Sequence, residues 1–125
     1  MIIATLQFEL AIHGAESLKD KRRVVKSLKD RLHREHLVSV AETSALEIPT
    51  TAVMGLAAVG SDGKRLGTVL DTIVAKLRAL HDAELVSMTR ELIKGKDPED
   101  AALEEERADS GDLDAEMLRY AEGDL

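Results

Sequence analysis

The sequence predicts an α+β domain in which two helices cover one face of a four-stranded antiparallel sheet. Three patterns in residues 1 to about 93 predict this fold: an alternating first strand, two amphipathic helices, and the order β-α-β-β-α-β in which the elements follow one another. A chain of 125 residues is long enough for one hydrophobic core of this kind.

The first element is predicted to be a half-buried strand over residues 2–12. Its residues alternate with period 2, so that one face is expected to point to the core. That face is formed by Ile2, Ala4, Leu6, Phe8, Leu10 and Ile12. The alternation stops at residues 13–15, where Gly14 indicates a turn. Ser17, followed three residues later by Asp20, then indicates the start of a helix.

The first helix is predicted over residues 17–35, with one apolar stripe at helical spacing. The stripe is formed by Leu18, Val24, Val25, Leu28 and Leu32. A second strand is expected over residues 37–42, and Pro49 ends it or bends an edge.

The second half of the domain repeats this pattern. Residues 51–59 are apolar on both faces, which is typical of a central strand. Turn residues occupy 60–63. A second amphipathic helix is then expected from Leu66 to near His81, and a last strand over residues 84–93.

This order predicts a ferredoxin-like βαββαβ sandwich with both helices on one side of the sheet. A parallel, flavodoxin-like sheet would require a helix between the second and third strands. Pro49 and its neighbouring threonines leave no room for one.

Charge divides the chain into two parts. Residues 94–125 hold four basic and twelve acidic residues, whereas residues 1–93 have a net charge of only +1. We therefore expect a ferredoxin-like domain over residues 1–93 and an acidic tail, partly helical or disordered, over residues 94–125.

Several functional classes lack the residues that they need. The chain has no cysteine, which excludes disulfides, thiolate nucleophiles and CxxC metal sites. It has no asparagine, the residue with which acylphosphatases of this strand order position water, and no P-loop or GxSxG motif. We therefore expect no catalytic residues, no cofactor and no metal site. Without an apolar run of membrane-spanning length or a basic leader, the chain is expected to be cytoplasmic, with no membrane partner.

The first helix carries the strongest functional signal. Between residues 17 and 36 there are eight basic and three acidic residues. Five of the basic residues fall within an arc of about 120° beside the apolar stripe. We call them the basic strip: Lys19, Arg22, Arg23, Lys26 and Lys29. Such a strip can follow a phosphate backbone, so that structured RNA is an expected partner, although a merely solvated helix face gives the same pattern.

Two other features suggest ligands more weakly. His33 and His36 are spaced so that they could share a metal, but no third ligand is identifiable. His13 and Gly14 lie in the first strand-helix turn, where Gly14 suggests a close backbone approach or an anion site at the helix N-terminus.

Residues 1 to about 90 resemble the YlxP-like family of small bacterial proteins. The resemblance lies in MIIATLQFELAIHGAE at 1–16, SLKDKRRVVKSLKDRL at 17–32 and VSVAE at 38–42. It implies a ferredoxin-like fold and no established activity. Family members tend to be encoded beside translation initiation factor 2 and ribosome-binding factor A, which implies ribosome biology by association only. Residues 43–49 lack the family's Trp-containing polar segment, and the acidic tail is longer than usual.

Taken with the basic strip, the resemblance suggests a non-enzymatic module that binds RNA or a ribosomal particle. Two alternatives remain open. One is a protein-interaction module that forms a homodimer through the open sheet face or an edge strand. The other is a small-molecule regulatory domain with its ligand at the Gly14 turn.

Overall fold

The computed structural model describes residues 1–96 and 98 of the chain. Six elements follow one another in the predicted order. They are β1 (Ile2–Ala11), α1 (Leu18–His36), β2 (Ser39–Ser44), β3 (Thr51–Gly60), α2 (Gly63–Arg78) and β4 (Glu84–Lys94). Residues Met1–Gly95 form one compact unit.

The four strands form one antiparallel sheet in the order β2-β3-β1-β4. β1 lies in the interior, where Leu6 is opposite Leu56 of β3 on one side and Arg90 of β4 on the other. The prediction of a ferredoxin-like βαββαβ fold is therefore confirmed.

The alternation of β1 places its apolar face in the core. Leu6 and Leu10 are fully buried, and the same face of β3 contributes Ala52, Met54 and Leu56. Both helices pack on this face, with α1 against β2 and α2 against β1, β3 and β4. The opposite face of the sheet is left open.

The start of α1 agrees with the predicted cap. The Ser17 side chain accepts a hydrogen bond from the backbone N–H of Asp20 at 3.2 Å. The Asp20 carboxylate in turn accepts from the N–H of Glu16 at 3.0 Å. The first bond satisfies one of the backbone donors that a helix start leaves without partners, and the second joins the residue before the cap to the first turn.

Several predicted boundaries shift by one to three residues; α2, for example, begins at Gly63 instead of Leu66. β2 begins at Ser39 instead of residue 37, because α1 continues to His36 and Leu37 adopts a left-handed conformation (φ 54°) that closes the helix. α2 ends at Arg78, ahead of the predicted His81. β4 continues to Lys94, and the next N–H, of Gly95, donates to the Met1 carbonyl at 2.7 Å.

The predicted division into residues 1–93 and 94–125 placed Lys94 in the tail, whereas the structure shows that Lys94 is the last residue of β4. Most of the predicted acidic tail, residue 97 and residues 99–125, lies outside the described residues. Its predicted character remains a prediction.

Candidate functional site

The basic strip forms one exposed surface on α1. Lys19, Arg22, Arg23 and Lys26 are exposed, and Lys29 is half-buried. Within the part of the chain that the structure describes, none of the five forms a salt bridge. With a rise of about 1.5 Å per residue, the strip extends over about 15 Å of helix.

Only one of the three acidic residues of α1 lies within this surface. Asp20 caps the helix start, and Glu35 accepts a hydrogen bond from Lys76 of α2 at 2.5 Å. Asp30 is the acid that shares the arc of the strip, and it is exposed. The strip therefore presents a local positive charge on a chain whose net charge is −7.

Lys21 is one of the eight basic residues between positions 17 and 36 but lies outside the basic strip, and it is only 1% exposed. Its Nζ donates to the backbone carbonyls of Ala45, Ile48 and Thr51 at 2.7, 2.8 and 2.9 Å, and lies 3.4 Å from that of Leu46. All four belong to the β2–β3 connection or the first residue of β3. An ammonium group has three protons to donate, so these carbonyls satisfy it.

Glu42 of β2 supplies the countercharge. Its Oε2 forms an ion pair with Lys21 Nζ at 2.7 Å and is buried without a hydrogen-bond partner among the described residues. The pair is needed because a buried ammonium without a nearby negative charge is strongly unfavourable. We call Lys21, Glu42 and the accepting carbonyls the lysine cage. It fixes the β2–β3 connection, in which Ala45 adopts a left-handed conformation (φ 53°).

A sequence signal for Lys21 exists. It lies three residues after Leu18 and four before Val25, which is the spacing of the apolar stripe itself. Glu42 likewise falls on the inward face of β2, two residues after the half-buried Val40. Opposite charges at two core-facing positions indicate a buried pair.

The two histidines at the end of α1 have separate partners. His33 Nδ1 is 2.9 Å from the carbonyl oxygen of Val38, and His36 Nε2 accepts from Lys76 Nζ at 2.8 Å. Burial, reinforced by the Lys76 charge, lowers the pKa of His36. The hydrogen bond from Lys76 lowers the pKa of Glu35. Among the described residues, no three His, Cys, Asp or Glu side chains are arranged to hold a metal.

We predict that this network makes the fold less stable in mild acid. Because folding lowers the pKa of His36, the unfolded chain binds the proton more readily, and stability falls as the pH drops below the ordinary value of 6.5. Glu35 adds to this fall only below its ordinary pKa of 4.5. Thermal unfolding between pH 8 and pH 5 measures the effect, and His36→Gln is expected to flatten the upper part of the curve. Equal losses in both proteins between pH 7.5 and pH 5.5 would contradict it.

A cleft of about 680 Å³ adjoins the His13–Gly14 turn. Its lining mixes acids with His81 and Arg23. His13 Nε2 lies 3.0 Å from a carboxylate oxygen of Glu84, and the Asp20 carboxylate already occupies the helix start. A Cβ on Gly14 would meet open space, so the expected close backbone approach is absent at this residue. This arrangement disfavours an anion at the helix start.

The open sheet face consists mainly of small and polar side chains. Gln7 of β1 is flanked there by Gly55 of β3 and Thr89 of β4. Phe8 points to the core, as predicted, and is 2% exposed. Because the described part of this face carries no aromatic side chain, it offers no platform for base stacking.

The family model described as "Protein of unknown function (DUF503)" matches residues 3–90. No curated protein matches the chain. Among solved structures, the de novo designed protein Foldit4 is 9% identical with a TM-score of 0.46, and the alignment covers 77% of this chain and all of that one. A de novo designed protein with a ferredoxin fold, LFR1 1, is 15% identical with a TM-score of 0.45, covering 78% of this chain and 90% of that one. In the described part of the chain, no helix is long and apolar enough to cross a membrane.

Proposed function

The chain belongs to the DUF503 family of proteins of unknown function, and we propose that it is a non-enzymatic cytoplasmic module that binds structured RNA, free or in a ribosomal particle. The observation that carries the proposal is the basic strip, in which four exposed cations on one helix face have no intramolecular partner among the described residues. The resemblance to YlxP-like proteins also supports it.

The strip supports phosphate contacts and offers no reading of bases. Lysine and arginine side chains on a rigid helix can follow consecutive phosphates, and each neutralised phosphate releases counterions. The open sheet face has no aromatic side chain among its described residues with which to stack on bases. Binding is therefore proposed to be selective for RNA shape and strongly dependent on salt.

We predict that Lys19→Glu, Arg22→Glu and Lys26→Glu together leave the fold intact and weaken RNA binding roughly 100-fold or more, because three phosphate contacts become repulsive. The slope of log affinity against log salt concentration should become shallower by about three, because each lost phosphate contact reduces the slope by about one. Fluorescence anisotropy with a structured RNA at several salt concentrations measures both quantities. Circular dichroism checks the fold.

A matched control is available on α2. Lys64→Glu, Arg65→Glu and Arg78→Glu change the net charge equally, at positions that are also exposed on a helix. They are expected to weaken binding much less. Conversely, Asp30→Lys should strengthen binding, whereas Glu91→Lys on the open face should change it little. Equal losses of RNA affinity in the two triple variants would show that RNA binds by general electrostatic attraction. This result would refute the strip as the binding site.

A further inference from the structure

β4 is a long edge strand with one side unpaired. It has 11 residues and pairs with β1 alone, whereas the other edge strand, β2, has six. All but one of its residues are exposed. Edge strands of soluble proteins are usually short, or are protected by proline or by unpaired charges, because their free N–H and C=O groups can pair with another strand.

The protection on β4 is slight. The strand contains no proline, and its central cation, Arg90, is already engaged by Asp71 at 2.5 Å and by the Gly67 carbonyl at 3.0 Å. A bulge leaves Val86 without a partner on β1, near the start of the strand. Apolar side chains are left exposed along it: Val86, Met88, Leu92 and Ile93.

We propose that β4 pairs antiparallel with β4 of a second copy of this chain, about a two-fold axis at Thr89. Thr89 is the midpoint of the strand, so this register uses its whole length. It places Glu84 opposite Lys94 of the second copy at both ends. Registers centred on Arg90 or Glu91 would place like charges opposite each other at the axis, which is unfavourable.

The same register also brings exposed apolar residues of the two β4 strands opposite each other. It places Val86, which is 56% exposed, opposite Leu92 of the second copy, which is 50% exposed. Two such contacts form, because the axis repeats each of them. The pairing joins the two sheets into one of eight strands, with all four helices on one face. α1 packs over β2, away from β4, so both basic strips stay accessible.

The sequence after β4 favours a second copy over the chain's own tail as the occupant of this edge. Of the residue types that fit strands best, residues 97–125 contain a single tyrosine, Tyr120, and no valine, isoleucine, threonine, phenylalanine or tryptophan. The 11 residues of β4 include three of these types: Val86, Thr89 and Ile93.

Sedimentation equilibrium of the full chain without RNA tests the proposal. We expect a reversible dimer in the micromolar range. Val86→Lys should abolish it, because a lysine would face Leu92 of the second copy. Lys94→Glu and Glu84→Lys should each raise the dimer dissociation constant roughly tenfold, because each replaces two attractive pairs by two repulsive ones. Combining the two reversals should restore dimerisation.

The matched control is Val59→Lys, the same substitution at a 66% exposed position on the open face, at the end of β3. It should leave the dimer unchanged. A wild-type chain that stays monomeric throughout the range would overturn the proposal. A dimer that survives Val86→Lys would also overturn it. A dimer that is lost in Val59→Lys would overturn it as well, because the open face would then be the surface of association. Circular dichroism of each variant establishes that it is folded.

Discussion

Replacing Lys21 with methionine is expected to lower the free energy of unfolding by about 3 to 5 kcal/mol, because it leaves the buried carboxylate oxygen of the half-buried Glu42 without its countercharge. Methionine fills a similar volume, so the loss reports on the charge and its hydrogen bonds more than on packing. The carbonyls of Ala45 and Ile48 in the β2–β3 connection, and that of Thr51 at the start of β3, also lose their donor. Denaturant unfolding followed by circular dichroism measures the change.

Lys19→Met is the matched control, since it removes the same charge from an exposed position two residues earlier. It is expected to shift the free energy of unfolding by no more than about 0.5 kcal/mol. Adding Glu42→Gln to Lys21→Met should recover part of the loss, because no unpaired carboxylate then remains. If Lys21→Met unfolds at the same denaturant concentration as the wild type, the lysine cage does not stabilise the fold.

Leu28→Ala is the second change with a large expected effect. Leu28 is 4% exposed on the inner face of α1, and truncating a buried leucine costs roughly 2 to 5 kcal/mol through lost burial and the remaining cavity. That is a large share of the 5 to 15 kcal/mol typical of whole domains. Thermal unfolding is expected to show a clearly lower midpoint.

Ser27→Ala provides the comparison, because Ser27 is the exposed neighbour of Leu28 on the same helix. Alanine favours helix slightly over serine, so this variant should be as stable as the wild type or a little more so. A melting temperature for Leu28→Ala within a degree or two of the wild type would show that the residue is not part of the core.

The strands and helices could be predicted because their apolar periodicity follows directly from burial. The alternation of β1 and the stripe of α1 needed only the side-chain geometry of a strand and a helix. The start of β2 was displaced because Leu37, an apolar residue beside Val38, looks like strand but closes the helix in a left-handed conformation. Such a conformation is rare for leucine and leaves no periodic signal.

The basic strip was predictable as a pattern, but its lack of ion pairs was not. Whether a surface charge is free depends on neighbours from other elements, as Lys76 of α2 shows by binding Glu35 of α1. Lys21 was missed because a charged residue in a basic helix is ordinarily exposed. Its place in the spacing of the apolar stripe was the one available signal, because the carbonyls that accept from it lie 24 to 30 residues later in the chain.

The lysine cage has a consequence for the order in which the chain can fold. A β-hairpin such as β2–β3 ordinarily closes through contacts between residues near in sequence. Here its connection is held by a side chain 24 to 30 residues earlier. The hairpin connection therefore cannot reach its final form until α1 has packed onto the sheet. Conversely, the ammonium group of Lys21 has no hydrogen-bond acceptors from the connection until the connection has closed around it. The two segments are completed together, as one cooperative step.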